Sequence, residues 1–232
     1  MQAVSRLIGI PDFLVEAFYE PEDSDWLIEA RNTAALAKEE ADGDFPLMHA
    51  HALMGLWSAL EALIEDVTVA WLVAKPEVIH GPAFAKIRVP VSDYHQMSVE
   101  DRMAYVVTEL QRDLKAELRQ GVTRFESVLD AIGMGSGVSS DIRKAIFEIQ
   151  QVRNSLAHRG GVADRRLIEA CPWLGLKQGQ PLVVTHEKFE YYIDAVYGYL
   201  ADLINRWRVA DGLEQRQYTS FPSKSCPYIA SA

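Results

Sequence analysis

The residues with the most chemistry in this chain are Val-Arg-Asn-Ser-Leu-Ala-His-Arg-Gly-Gly, positions 152–161. Asn154 and His158 are four apart, so on a helix they share a face. Arg153 lies about 140° round the helix from His158. Its long side chain can reach back toward the ring or out to a partner helix. An imidazole can accept the proton of a ribose 2′-OH or protonate a leaving 5′ oxygen. A guanidinium can grip a phosphate through two parallel hydrogen bonds and stabilise added charge in the transition state. An amide can orient a hydroxyl or the ring. Together these groups suit phosphodiester cleavage in which the nucleophile is the substrate's own 2′-OH. That chemistry needs no metal, restricts the substrate to RNA and leaves a 2′,3′-cyclic phosphate. The following glycines let a ligand approach the backbone closely. The same residues also fit a plain C-terminal helix cap with Asn154 solvated.

The charge pattern bears on this reading. The 232 residues carry 23 Lys plus Arg against 33 Asp plus Glu, a net charge of −10, which argues against a general nucleic-acid coat protein. The segment from Arg143 to Arg166 runs the other way. It holds Arg143, Lys144, Arg153, Arg159, Arg165 and Arg166 against Glu148 and Asp164. Arg159, Arg143 and Lys144 are therefore candidate phosphate contacts, and a solvated helix face explains the same run without a ligand.

Other chemistries find no support in the residues. GxxxxGK[ST], strand-linked GxGxxG, GxSxG and HExxH are absent, so no nucleotide cofactor is expected. Cys171 and Cys226 form no CxxC pair, and His49 and His51 point to different helix faces. No metal site is expected. Cys171 reads as a structural thiol. Trp57, Trp71, Trp173, Trp207 and the group Tyr191, Tyr192, Tyr197 and Tyr199 could stack bases, but their helical spacing favours core or dimer packing. The longest apolar stretch, Ala52 to Ala74, contains Glu61, Glu65 and Asp66 and makes a poor membrane span. With no secretory signal, the expectation is a cytoplasmic protein with no membrane partner.

The elements that must position the site follow from hydrophobic periodicity and capping residues. With 49% apolar and 24% charged residues, the chain has ordinary globular composition. Residues 1–23 read as an arm or short helix. Ser24 or Asp25 can cap a helix from Trp26 to Glu40, ended by Gly43 and Pro46. The next helix spans Leu47 to Ala74, with Leu53, Leu56, Trp57, Leu60, Ile64, Val67 and Trp71 on its buried face. A loop with Pro76, Pro82 and Pro90 leads to Ser98, which starts a helix to about Gln120. Asp101 stands in the reciprocal capping position. A shorter helix spans Val122 to Ile132. Ser139 or Ser140 caps a helix from Asp141 to His158, stopped by Gly160 and Gly161. LGLKQGQPLVV, 174–184, suggests a small β-hairpin about Gln178-Gly179. Thr185 caps a last helix from His186 to Ala210, with the stripe Phe189, Ile193, Val196, Leu200, Leu203 and Trp207. The tail after Gly212 reads as mobile or partner-wrapping. The expected fold is all-α: a helical bundle with an N-terminal helix and a small β-hairpin before the last helix.

At this point the sequence resembles the HEPN superfamily. The resemblance rests on a long helix with an acidic residue among apolar positions, then Arg-Asn-x-x-x-His closing a later helix, then Gly, then a terminal long helix. Arg88 and His95 also keep the family's spacing, but they fall in the proline-containing loop. Only Arg153 and His158 end a capped helix inside a basic segment. The resemblance covers residues 48–211, with 1–47 an arm and helix packing on that core and 212–232 a tail. It implies an up-and-down bundle, a homodimer with the two motifs facing across a two-fold, and metal-independent ribonuclease activity of the kind found in toxins and antiviral effectors. Carried over, Arg153 and His158 are the catalytic pair and Asn154 the polar helper, with Glu61 contacting the motif arginine. The alternative is a non-catalytic module of this type that binds a partner protein, a nucleotide or RNA, and a regulatory partner protein fits either reading.

Overall fold

The computed structural model describes residues 24–217, except for the side chains of Val91 and Asp93. The expected arm at 1–23, the tail from 218 onward and Cys226 lie outside the described residues. The described chain is helical and contains no strand. No helix in it is long and apolar enough to cross a membrane.

Three long helices carry the fold. α1 spans Asp25–Asp42 and α2 Pro46–Ala74. After α2 the proline-containing loop forms two 3₁₀ turns, Pro76–His80 and Pro82–Phe84, and a single helical turn, α3, at Val91–Tyr94. α4 is Val99–Asp113, α5 Val122–Ala131, α6 Ser140–His158, α7 Arg165–Ala170 and α8 His186–Ala210. Ser98, Ser139 and Thr185 cap α4, α6 and α8 with their hydroxyls, each accepting a backbone N–H three residues on. Ser24 makes no such bond.

α2 is the central rod, packing on α4, α5, α6 and α8. Leu53, Trp57, Leu60, Ile64 and Trp71 are buried along it. α8 lies parallel to α2: the His49 and His186 rings are 5.3 Å apart at one end, and Trp71 meets Trp207 edge-on at 5.0 Å at the other. α6 runs antiparallel to α8, since Glu148 meets Tyr192 while Arg206 reaches the Met134 carbonyl just before α6.

Four expectations need correction. The N-terminal helix forms, but its buried residues Leu27 and Ala34 stand outside the central core. Among the described residues it adds no member to that core. The helix from Ser98 stops at Asp113 rather than Gln120, because Lys115 turns left-handed (φ 51°) and a 3₁₀ turn, Ala116–Leu118, buries Ala116 instead. The 174–184 segment closes the expected turn, Gln180 N–H donating to Lys177 O at 3.1 Å, but its two arms do not pair as strands. Leu174, Leu176, Leu182 and Val184 all face the core. Residues 179–182 bond instead to the strip just after His158, through Ala163 N–H to Gln180 O at 2.8 Å and Leu182 N–H to Gly161 O at 2.8 Å, around one isolated bridge, Val162–Pro181. Finally, the buried face of α8 overlaps the apolar stripe but is shifted from it: Val196 and Leu203 are buried and Phe189, Leu200 and Trp207 pack against the core. Ile193 is exposed, while Lys188, Tyr192, Ala195 and Tyr199 are buried.

Two buried polar groups explain that shift. Glu148 and Lys188 are both fully buried and form an ion pair. Glu148 also accepts from Tyr192 Oη at 2.8 Å and from Trp173 Nε1 at 2.5 Å. Further along, Glu126 accepts from Arg206 at 2.9 Å on both oxygens and from Tyr199 Oη at 2.7 Å. A buried carboxylate is costly unless paired and hydrogen-bonded. α8 is held in the phase that supplies those partners.

Removing one member of a buried pair strands the other charge, at a cost of about 3–5 kcal/mol. Lys188→Met is therefore expected to lower unfolding free energy by about that much, read from the midpoint of a urea titration. An unchanged midpoint contradicts the role given to the pair. Burial, with the charge and hydrogen bond of Glu126 behind it, holds the Tyr199 phenol proton far above its ordinary pKa of 10.0. The unfolded chain loses that proton first, so this contribution to stability is complete below pH 10 and falls as pH rises beyond it. Tyr199→Phe is expected to be less stable at pH 8 by about 1 kcal/mol. Its stability also falls less steeply above pH 10, by about 1.4 kcal/mol per pH unit. Parallel slopes for the two proteins contradict this.

Candidate phosphate-binding cleft

α6 ends at His158 because Gly160 and Gly161 both adopt left-handed conformations (φ 66° and 72°), which turn the chain back. Ser155 O accepts from Arg159 N–H at 3.0 Å and from Gly161 N–H at 3.2 Å. The ring of His158 is thus left exposed on the last helical residue. Asn154, Ser155, His158 and Arg159 line a cleft of about 790 Å³, within the range of small-molecule sites.

The other walls come from two short segments. One is the 3₁₀ turn and its exit, Glu117 to Gln120; the other is α7, with Asp164, Arg166 and Glu169. Both are fastened to the C-terminal half of α6 and its cap. Gly121 N–H donates to Gln150 Oε1 at 2.6 Å. Asp164 caps α7 through Leu167 N–H at 2.9 Å and pairs with Arg159 at 3.4 Å. The strip between them is bonded to residues 179–182, as described above.

The charges in the cleft are unevenly matched. Asp164 engages Arg159, and Glu169 is held by Arg165 at 2.7 Å. The guanidiniums of Arg119 and Arg166 make no ion pair or hydrogen bond with the described residues, and Glu117 is the remaining cleft carboxylate. An anion entering here meets two uncommitted guanidiniums, one exposed imidazole and the amide of Asn154.

The residues singled out in the sequence divide into three groups. Asn154, His158 and Arg159 share the cleft. Arg153 is half-buried beside it: its guanidinium donates to Asn154 Oδ1 at 3.2 Å and does not line the cavity. The rest lie elsewhere. Arg143 sits about 22 Å along α6 from His158 by helical rise, bonded to Val138 O at 3.1 Å. The ammonium of Lys144 lies over the Trp173 ring at 4.7 Å. Neither lines the cleft, because both leave α6 near its opposite end. Glu61 does not contact the motif arginine; it pairs with Arg124 at 3.0 Å, bridging α2 and α5. Arg119 was not legible as a site residue, since it precedes the basic segment. Arg166 lies within that segment, but its spacing alone does not tie it to His158.

Of the residues predicted to be structural, Cys171 is buried, as are Tyr191, Tyr192 and Tyr199, while Tyr197 is exposed. Among the described residues, no group of three or more His, Cys, Asp or Glu is arranged to hold a metal ion. No family model matches the chain, and no curated protein or solved structure matches it either.

Gly121 is the pivot of one wall. It is left-handed in φ (55°), and a Cβ there would meet Phe147 at 3.0 Å. Gly121→Ala is expected to destabilise the protein by about 1–3 kcal/mol, read as a lower Tm. An unchanged Tm contradicts the close fit between this turn and α6.

Proposed function

We propose that this chain is a metal-independent endoribonuclease of the HEPN type, acting as a homodimer. The observation that carries the reading is the exposed His158 ring at the end of α6, in one cleft with Asn154 and several arginines. In this reading the ribose 2′-oxygen attacks the adjacent phosphorus while the P–O5′ bond breaks. One His158 takes the 2′-OH proton, and His158 of the partner subunit delivers a proton to the departing 5′ oxygen. The products are a 2′,3′-cyclic phosphate and a 5′-OH. A two-fold axis lets one histidine per chain fill both roles. Arg153 serves as a positioning residue: by holding Asn154 Oδ1 it leaves the Asn154 amide to face a ribose hydroxyl.

A toxin or antiviral effector, restrained by a regulatory partner in the cytoplasm, is the physiological setting this chemistry fits. The second reading is a non-catalytic module that binds RNA, a nucleotide or a partner protein. It draws on one observation, that the Arg153 guanidinium is turned to its neighbour rather than into the cleft.

The deciding experiment incubates wild type and His158→Ala with varied RNAs in EDTA and identifies the new ends. Wild type is expected to give cyclic phosphate and 5′-OH ends, and His158→Ala to be slower by 10²-fold or more. Equal cleavage by both, or none by wild type, removes the catalytic proposal. Stable RNA binding without new ends supports the second reading.

A further inference from the structure

We infer that Arg119 and Arg166, rather than the basic run along α6, hold the phosphodiester backbone of RNA in this cleft. The inference rests on the ribonuclease reading and names the groups that seat its substrate.

Four observations lead to it. First, the arginine of the sequence motif is committed elsewhere: Arg153 donates to Asn154 and does not line the cavity. Second, the remaining cations of the basic run are absent from the cleft or already engaged. Arg143 and Lys144 lie near the far end of α6, Arg165 is paired with Glu169, and Arg159 is paired with Asp164. Third, Arg119 and Arg166 both line the cleft with His158, and neither guanidinium has a partner among the described residues. Two unpaired guanidiniums outweigh the single uncommitted carboxylate, Glu117, so the cleft favours an anion. Fourth, both are presented by anchored backbone. Arg119 follows a turn fastened by Gly121 N–H to Gln150, and Arg166 stands in α7, which Asp164 caps. Such anchoring limits the ordering cost that long side chains impose on binding.

The geometry also divides the labour. Each guanidinium can grip a phosphate by donating two parallel hydrogen bonds to two of its oxygens. His158, at the helix end in the same cleft, is left for proton transfer. Sequence selectivity is not expected from phosphate contacts, which fix register rather than read bases.

The test uses a fluorescent RNA oligonucleotide with 2′-O-methyl riboses, which cannot be cut by 2′-OH attack, and follows binding to the full chain by anisotropy. Arg119→Ala and Arg166→Ala are each expected to weaken binding about tenfold. Each is also expected to reduce the slope of log affinity against log salt by about one. Arg165→Ala, one residue away but paired with Glu169, and Arg143→Ala are expected to bind as wild type does. Circular dichroism verifies the fold of each variant, and all four positions are exposed. Arg119→Ala and Arg166→Ala binding like wild type, or no more weakly than Arg165→Ala, overturns this inference and leaves the ribonuclease reading standing. A wild type that does not bind the probe overturns both.

Discussion

A carboxylate placed beyond the reach of water must be met by a cation and by hydrogen-bond donors. Glu148, fully buried on α6, is met by Lys188, Tyr192 and Trp173. Those three partners fix how α8 is rotated, how α6 lies against it, and where the 3₁₀ turn at Pro172–Leu174 must sit. A charge pair of this kind contributes little net stability compared with apolar packing of the same volume. Its effect is on arrangement: other rotations of α8 leave the carboxylate alone. The second carboxylate, Glu126, with Arg206 and Tyr199, repeats the constraint two to four helical turns further along the same helix.

With α6 held in place, its last turn becomes a fixed mount. Nothing in the cleft is carried by a long free loop. The turn at Ala116–Leu118 hangs from Gln150, and α7 is capped by Asp164 and tied to Arg159. Even the strip after the two glycines is bonded across to residues 179–182. Groups that must cooperate at one phosphate are thus carried on short, anchored segments, which is what positioning chemistry requires.

The sequence announced much of this and was silent on the rest for identifiable reasons. α2, α5, α6 and α8 were legible because Ser139, Thr185 and the glycines mark their ends and their apolar residues keep helical spacing. The phase of α8 was not, since Ile193 is more apolar than Lys188 and periodicity alone buries the wrong one. The break after Asp113 carries no glycine or proline, so only the demand to bury Ala116 explains it. In the cleft, Asn154, His158 and Arg159 could be read from their spacing. Arg119 could not, because nothing local links it to a helix that begins some twenty residues later. Glu61 pairs with Arg124 of α5 rather than with the motif arginine, a partner that sequence spacing does not show.

One consequence follows from the rod that joins the charge pair to the ring. Glu148 and His158 belong to one continuous helix, ten residues apart. Heat or denaturant that releases the carboxylate from its partners also dissolves the scaffold under the imidazole. The cleft therefore has no independent melting of its own: it survives as long as the bundle does and disappears in the same cooperative step.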